Sequence, residues 1–268
     1  MIAMRLLCAA IIALGVSGEL RADDTATARH LLLGVRAFKA ERYDEALVEL
    51  RVVARAPDAP ADLAFYLGPT LFKLQRYDEA LAVFAASRAT PDALTDFYRG
   101  QTYYQLRLFR KARTVFSELR ARGLGPALHE AAGRYIALVD AAYRTPPTTG
   151  SIDYYVAEGL ERAARDALVA AEYLDEARQV EALAAEPHRH AEILAGLAAA
   201  WIDAARPQLA VTLLAAEPAR LPELAWQLAR AYAAAGDAAH ARPLLEAIIK
   251  ADGPHAAEAA QLRSRLAP

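Results

Sequence analysis

The sequence predicts an all-α solenoid built from helix pairs. Two segments, Glu41–Leu50 (ERYDEALVEL) and Gln75–Phe84 (QRYDEALAVF), align at a spacing of 34 residues. A third copy, Phe97–Phe116, follows the second at a spacing of 32 residues. Large apolar residues recur in each copy at i, i+3, i+4 and i+7, which is the spacing of an amphipathic helix. Repetition of a two-helix unit at this period is typical of a solenoid, in which each unit packs on its neighbours.

Small residues recur at equivalent positions of the three copies, where the two helices of a unit must approach closely. These are Gly34 and Ala46, Gly68 and Ala80, and Gly100 and Ala112. Turns between paired helices are expected near Glu41–Arg42, Gln75–Arg76, Arg107–Leu108 and Gly236–Asp237. Charged residues occupy the positions between the apolar ones, as expected for the outer faces of amphipathic helices.

The repeats resemble those of the tetratricopeptide repeat (TPR) family, whose consensus positions read W-L-G-Y-A-F-A-P. In the first copy these positions hold His30, Leu33, Gly34, Ala37, Ala46, Leu50, Val53 and Asp58. In the second they hold Ala64, Leu67, Gly68, Leu71, Ala80, Phe84, Ser87 and Asp92. In the third they hold Asp96, Arg99, Gly100, Tyr103, Ala112, Phe116, Leu119 and Leu124. The Tyr-Asp-Glu-Ala signature is specific, whereas the first position departs from Trp in every copy. The resemblance implies a right-handed superhelix in which the first helix of each pair lines a concave groove.

The same rhythm continues more loosely through the second half of the chain. One unit contains Leu228 and Tyr232, another contains Leu197 and Trp201, and a weaker one precedes them. Single helices are expected over 127–143 and 256–266, because the last repeat of a block would otherwise expose its apolar face. The predicted architecture is therefore two blocks of about three repeats each, with one capping helix per block.

A linker is expected between the blocks at Arg144–Ser151 (RTPPTTGS), since two prolines and a glycine cannot continue a helix. The predicted division is 1–22 as a signal peptide, 23–143 as the first TPR block, 144–151 as the linker and 152–268 as the second, degenerate block. The blocks are either rigidly continuous or hinged at Pro146–Pro147.

An export signal is predicted at the N-terminus. Arg5 precedes an apolar run of eleven residues, Leu6–Val16, and small residues follow up to Ala22. This order is that of a secretory signal peptide. The run is shorter than the roughly 20 residues that span a membrane, so an uncleaved anchor is the lesser alternative. We expect cleavage after Ala22, or less favourably after Gly18, and a periplasmic or secreted protein without a further membrane span. Cleavage would remove Cys8, the single cysteine, and with it thiol chemistry.

The resemblance places partner contacts on the groove-facing positions of the first helices. These positions hold Phe38, Phe65, Tyr66, Phe72, Phe97, Tyr98, Gln101 and Tyr104 in the first half, and Trp226 and Arg230 in the second. The first set lacks the Lys, Asn and Arg with which some TPR proteins hold a peptide carboxylate. We therefore expect a protein or peptide segment that is apolar, since aromatic anchors dominate interface energies. Packing of the same rings between repeats is an equally weighted interpretation.

Composition and motifs favour a binding protein over an enzyme. The formal net charge of −2 argues against a nucleic-acid partner. The sequence contains no G-x-S-x-G, P-loop, H-E-x-x-H or G-x-G-x-x-G motif. His188 and His190 by themselves do not make a metal-ligand set, so we expect no metal, cofactor or catalytic residue. A basic stretch, Arg99–Arg122, is interpreted as a solvated helix face rather than as a surface for anionic lipid.

Two functional hypotheses remain open from the sequence. The leading one is a non-catalytic protein-binding scaffold or assembly adaptor in the cell envelope, which follows from the export signal, the solenoid and the missing catalytic motifs. The alternative is a glycan- or peptidoglycan-associated envelope factor, in which aromatic faces stack on sugars.

Overall fold

A computed structural model describes residues 22–57, 59–87, 92–123, 125–142, 149–182, 189–215, 217 and 221–266. Within these ranges the chain is all-α, with fourteen α-helices and no strand. None of the helices described there is both long and apolar enough to span a bilayer. The predicted signal peptide, apart from Ala22, and most of the predicted linker lie outside the described residues.

The chain divides into two compact units, Met1–Leu63 and Ala64–Pro268. The first unit contains helices α1 (Ala22–Lys39) and α2 (Tyr43–Ala54), followed by a 3₁₀ turn at Ala61–Leu63. Its buried core consists of Ala37, Ala46, Leu47, Leu50, Val53 and Leu63. All of them except Leu63, which belongs to the 3₁₀ turn, come from the apolar faces that the sequence predicted for the first helix pair.

The second unit contains the other twelve described helices. They are α3 (Ala64–Lys73), α4 (Tyr77–Ala86), α5 (Ala93–Gln105), α6 (Phe109–Ala121), α7 (Pro126–Ala142), α8 (Thr149–Ala163), α9 (Ala167–Glu181), α10 (His190–Asp203), α11 (Pro207–Leu214), α12 (Ala225–Ala234), α13 (Ala238–Lys250) and α14 (Ala256–Arg265). A second 3₁₀ turn, Pro222–Leu224, precedes α12.

The helices form the predicted pairs and caps. Six pairs pack internally, namely α1 with α2, α3 with α4, α5 with α6, α8 with α9, α10 with α11, and α12 with α13. The single helices α7 and α14 pack on α6 and α13, where capping helices were expected. The predicted fold class, an all-α solenoid of helix pairs, is thereby confirmed for the described part of the chain. The right-handed sense of the superhelix stays a prediction.

Five of the six pairs turn through the same backbone motif. One residue in each turn has a positive φ: Glu41 (59°), Gln75 (59°), Arg107 (62°), Ala205 (56°) and Gly236 (80°). In the first turn the Arg42 N–H donates to the Ala37 carbonyl at 2.9 Å, and the Glu41 N–H donates to the Phe38 carbonyl at 3.0 Å. These two bonds define a Schellman motif, which satisfies the last carbonyls of a helix. The four predicted turns are confirmed. The same motif forms a further turn at Ala205, which was not predicted.

Glycines lie where paired helices touch, as the sequence predicted. A Cβ atom on Gly68 would lie 2.2 Å from the Phe84 ring, and one on Gly100 would lie 2.8 Å from the Phe116 ring. A Cβ atom on Gly34 would lie 2.8 Å from a leucine side chain of α2. Atoms cannot approach this closely in a packed interior, so only glycine allows the large side chain of the second helix to lie against the first.

One hydrophobic core joins the two predicted blocks inside the second unit. It runs from Leu81 to Ile193 and includes side chains from every helix between α4 and α10. Helix α9 makes this connection, because it packs against α4 and α6 as well as against α8 and α10. The predicted boundary at 144–151 stays a prediction, and α8 begins at Thr149, inside the range expected for the linker.

Candidate functional site

Phe38, the first predicted groove residue, belongs to the last turn of α1 in the first unit. Its ring is half-buried and meets the ring of Tyr43 edge-on, with ring centres 5.8 Å apart. Tyr43 is the first residue of α2, so this contact closes the turn between the two helices. Within the first unit Phe38 therefore takes part in packing while it keeps part of its surface exposed.

Seven further predicted groove residues lie on α3 and α5 of the second unit, and we call them the aromatic wall. They are Phe65, Tyr66, Phe72, Phe97, Tyr98, Gln101 and Tyr104, and all seven are half-buried. The Phe72 ring connects the two helices, because its centre lies 5.4 Å from that of Tyr98 and 5.5 Å from that of Tyr77. The Lys73 ammonium lies 5.7 Å from the centre of the Tyr98 ring, within cation–π range.

Tyr135 on the capping helix α7 organises the other end of the aromatic wall. Its ring stacks on Phe116 at 4.7 Å and meets Phe97 and Tyr104 edge-on at 5.8 and 5.6 Å. Its hydroxyl accepts a hydrogen bond from the Gln101 side-chain amide at 2.7 Å. The sequence prediction missed Tyr135, because α7 was assigned only a capping role. The structure thus gives these wall residues packing partners and also leaves part of each exposed.

Trp226 and Arg230, the two predicted residues of the second half, line a cleft between α10, α12 and α14. The cleft has a volume of about 390 Å³. Trp226 stacks on His255 with ring centres 5.2 Å apart. Arg230 donates to the Gln227 side chain at 2.9 Å and lies 3.7 Å from the Asp203 carboxylate. The contribution of α14 to this cleft was not predicted, because a helix outside the repeat pattern has no assigned groove position.

A polar cluster, in which Tyr103 and Glu176 are buried and the other members half-buried, joins α5 and α6 to α9. The Lys111 ammonium lies 2.6 Å from an Asp175 oxygen and 3.0 Å from a Glu172 oxygen, and the Tyr103 hydroxyl donates to Glu172 at 3.1 Å. Glu176 is 0% exposed. Its carboxylate accepts one hydrogen bond from the backbone N–H of Arg110 at 2.7 Å and one from the backbone N–H of Lys111 at 3.1 Å. This cluster crosses the predicted boundary between the blocks.

The cluster shifts the protonation equilibria of its members. Burial raises the pKa of the Tyr103 phenol, and the Glu172 carboxylate raises it further. Burial disfavours the charged form of Lys111, but Glu172 and the other neighbours outweigh burial and raise its pKa. Burial likewise favours the neutral form of Asp175, yet Lys111 and Arg178 together lower the pKa of its carboxyl group. The shifts of Lys111 and Asp175 keep this ion pair charged at neutral pH and so hold α6 against α9, whereas the shift of Tyr103 keeps its phenol a neutral hydrogen-bond donor.

The basic stretch Arg99–Arg122 is in part the solvated face that the sequence predicted. Four of its cations, Arg107, Arg113, Arg120 and Arg122, are exposed, whereas Arg99, Arg110 and Lys111 are half-buried. Arg99 and Arg122 both contact Asp96, a carboxylate that is 2% exposed, at 2.7 and 2.8 Å. Arg113 lies 2.7 Å from Asp140 on α7. Carboxylates of this chain thus engage Arg99, Arg113 and Arg122, as well as Lys111.

No set of three or more His, Cys, Asp or Glu side chains in the ranges given above is arranged to hold a metal ion. His188 lies outside those ranges, and His190 begins α10 beside Glu181.

Comparisons with known proteins add little to this geometry. No protein-family model matches the chain, and no curated protein matches it either. Among solved structures, the crystal structure of the TPR domain of P58(IPK) is similar, with a TM-score of 0.37 and 15% sequence identity. The similarity covers 91% of this chain, which spans 66% of the length of that one. The fold assignment rests on the helix pairs and their turns. A similarity at this TM-score adds no support to it.

Proposed function

We propose that this protein is a non-catalytic scaffold or assembly adaptor of the cell envelope that binds an apolar protein or peptide segment. The observation that supports the proposal is the aromatic wall on α3 and α5, whose seven members are all half-buried. Rings that neighbouring side chains already hold in place lose little conformational entropy when a partner covers them. Each ring keeps part of its apolar surface exposed, and aromatic rings of this kind are common anchor residues in protein interfaces.

The proposal is tested by crosslinking from the aromatic wall in cells that express the full chain. A photo-reactive amino acid replaces Phe65, and the crosslinked product is identified by mass spectrometry. We expect the Tyr66→Ala variant to reduce the yield of that product while its melting temperature stays close to the wild-type value. Tyr154→Ala is the matched control, because Tyr154 is 39% exposed and lies on α8, outside the wall.

A Tyr104→Ala variant separates binding from packing, because Tyr104 contacts Phe109 and Tyr135. If both Tyr66→Ala and Tyr104→Ala lower the free energy of unfolding by about 3–5 kcal/mol, the range for core aromatic truncation, the wall is core rather than a binding surface. That result, together with no specific crosslink, would refute the proposed function.

Binding to an envelope glycan is a second candidate function, favoured by the cleft beside Trp226. An indole ring offers a flat apolar face to a sugar ring, and Arg230 and Glu258 in the same cleft supply a hydrogen-bond donor and acceptor for hydroxyl groups. Sedimentation with purified cell wall tests this candidate. Trp226→Ala should abolish co-sedimentation and leave the crosslink from position 65 unchanged, whereas wild-type protein that stays in the supernatant would exclude the glycan function.

Export is part of the proposal and is supported by the sequence of residues 1–22. Protein purified from the cell envelope should have Asp23 as its first residue, as determined by N-terminal sequencing. An intact Met1 on a cytosolic protein would contradict the envelope assignment.

A further inference from the structure

A second cleft lies in the second unit, between α9, α10 and α11, where no binding residue was predicted. Its volume is about 550 Å³. One side is apolar and is formed by Leu194, Trp201, Leu209 and Leu213. Leu209 is 44% exposed and Trp201 is half-buried, so this side is open to a ligand. None of these residues belongs to the aromatic wall or to the Trp226 cleft.

A buried carboxylate lies at the polar end of this cleft. Glu181, the last residue of α9, is 1% exposed. One of its oxygens accepts a hydrogen bond from the Arg189 backbone N–H at 2.8 Å, and the other lies 3.1 Å from Nδ1 of His190. A carboxylate has about four lone-pair positions, and these contacts take one on each oxygen. Glu181 therefore retains acceptor capacity on a group that water reaches poorly.

Among the described residues that line the cleft, and with His190 counted as neutral, the charge balance is negative. Glu217 also lines it, so two carboxylates border the same space. The Arg178 guanidinium also lines the cleft, but it donates to Asp175 through Nε at 3.0 Å and Nη2 at 2.7 Å. Because Asp175 already engages this cation, the cleft repels an anion and attracts a cation.

We propose that this cleft binds a cationic group carried on an apolar body, with the cation at Glu181 and the body against Trp201 and the leucines. An amine or guanidinium supplies the N–H donors that a carboxylate accepts in its strongest hydrogen bonds. Two sources share this chemistry: a free amphipathic amine, and a Lys or Arg side chain beside a large apolar residue in a peptide. The site is independent of the proposed function, because it shares no residue with the aromatic wall.

Tryptophan fluorescence of the full chain provides the assay. The sequence has two tryptophans, so a Trp226→Phe background leaves Trp201 as the only indole reporter. The probes are phenethylamine and 3-phenylpropionate, which carry the same ring and opposite charges, and the peptides Ac-Lys-Phe-NH2 and Ac-Glu-Phe-NH2. We expect saturable changes in Trp201 emission with the amine or with the Lys peptide, and none with the two anions. Response to the amine alone assigns a small-molecule ligand, and response to the Lys peptide assigns a peptide segment.

A variant of Glu181 tests whether the cationic group of the ligand binds at this carboxylate. Glu181→Gln keeps the side-chain volume and one acceptor oxygen, and it should weaken binding at least about tenfold, as expected for loss of a charge-assisted hydrogen bond. Glu130→Gln on α7 is the matched control, since the Glu130 side chain is 72% exposed and pairs with Arg134. Binding to this control should equal that of the parent chain.

A second pair of variants keeps the test valid if Glu181→Gln does not fold. Leu209→Lys and Leu209→Glu remove the same apolar contact from an exposed position and differ in charge. The lysine variant should bind phenethylamine or the Lys peptide several-fold more weakly than the glutamate variant. The proposal is wrong if 3-phenylpropionate binds as well as phenethylamine, if no probe changes Trp201 emission, or if folded Glu181→Gln binds like the parent.

Discussion

Helix α6 depends on a carboxylate that is distant in sequence, and this dependence gives the most direct test of the fold. The first N–H groups of a helix have no partner within the helix, and Ser, Thr, Asp or Asn usually satisfies them. The residue before α6 is Leu108, whose side chain makes no such hydrogen bond. Glu176 on α9 fills this role instead, because it accepts hydrogen bonds from the backbone N–H groups of Arg110, at 2.7 Å, and of Lys111, at 3.1 Å.

The perturbation is Glu176→Gln, which keeps the side-chain volume but replaces one acceptor oxygen by an NH2 group that faces an N–H donor. Loss of one hydrogen bond to a charged group costs about 1.5–3 kcal/mol. Loss of the negative charge at a helix N-terminus costs about 0.3–2 kcal/mol more. Because Glu176 is 0% exposed, solvent does not screen either contribution. We therefore expect the free energy of unfolding to fall by about 2–5 kcal/mol.

The assay is urea unfolding of the full chain, followed by far-UV circular dichroism. Glu130→Gln serves again as the control, and it should change the free energy of unfolding by less than about 0.5 kcal/mol, as is usual for exposed positions. Hydrogen exchange gives a local measurement, since the amide of Lys111 should exchange faster in the Glu176 variant. A Glu176→Gln protein with wild-type stability and unchanged exchange at that amide would refute the reasoning.

Two further predictions follow from helix packing and from the polar cluster. Gly68→Ala should lower the free energy of unfolding by about 1–3 kcal/mol, because its Cβ would lie 2.2 Å from the Phe84 ring. Gly133→Ala, whose Cβ would lie 3.8 Å from the nearest side chain, should be neutral or stabilising by up to about 1 kcal/mol in the same urea titration. Because the pKa of Asp175 is lowered in the folded state, its carboxylate stabilises that state at pH values above the unfolded-state pKa of 3.8. This stabilisation is lost as the pH falls through the lower pKa of the folded state. Asp175→Asn should therefore lose less stability than wild type between neutral pH and about pH 3, and an identical loss in the two proteins would contradict this assignment.

Much of the solenoid was predictable because its determinants are local in sequence. Apolar spacing within about 15 residues defines each helix, and glycines such as Gly68 mark the close contact inside each pair. The turn at Gln75 follows from the end of one apolar pattern and the start of the next. Because such signals recur in every repeat, an element with a weak signal in one copy can be assigned from the equivalent positions of the other copies.

The candidate binding residues were less predictable. The sequence identified aromatic positions such as Phe97, but their contacts depend on Tyr135, which lies on a helix without the repeat pattern. The expectation that charged residues lie on the outer faces of the helices was wrong for Asp96, Glu176 and Glu181, which are all buried. A charged residue on a helix has the same sequence pattern whether it faces water or a neighbouring backbone N–H group.

The sequence by itself determined the helix pairs, their turns and the glycine contacts, because each arises between residues of one repeat. Only the tertiary structure decided how α9 is joined to α6, which residues surround Tyr135, and where the 550 Å³ cleft lies. The hydrogen bond that the backbone N–H of Arg110 donates to Glu176 spans 66 positions, and no periodic pattern encodes a partner at that distance. The physical reason is that burial and charge pairing depend on which helix faces are brought together, whereas amphipathic spacing specifies only that each helix has a face to bury.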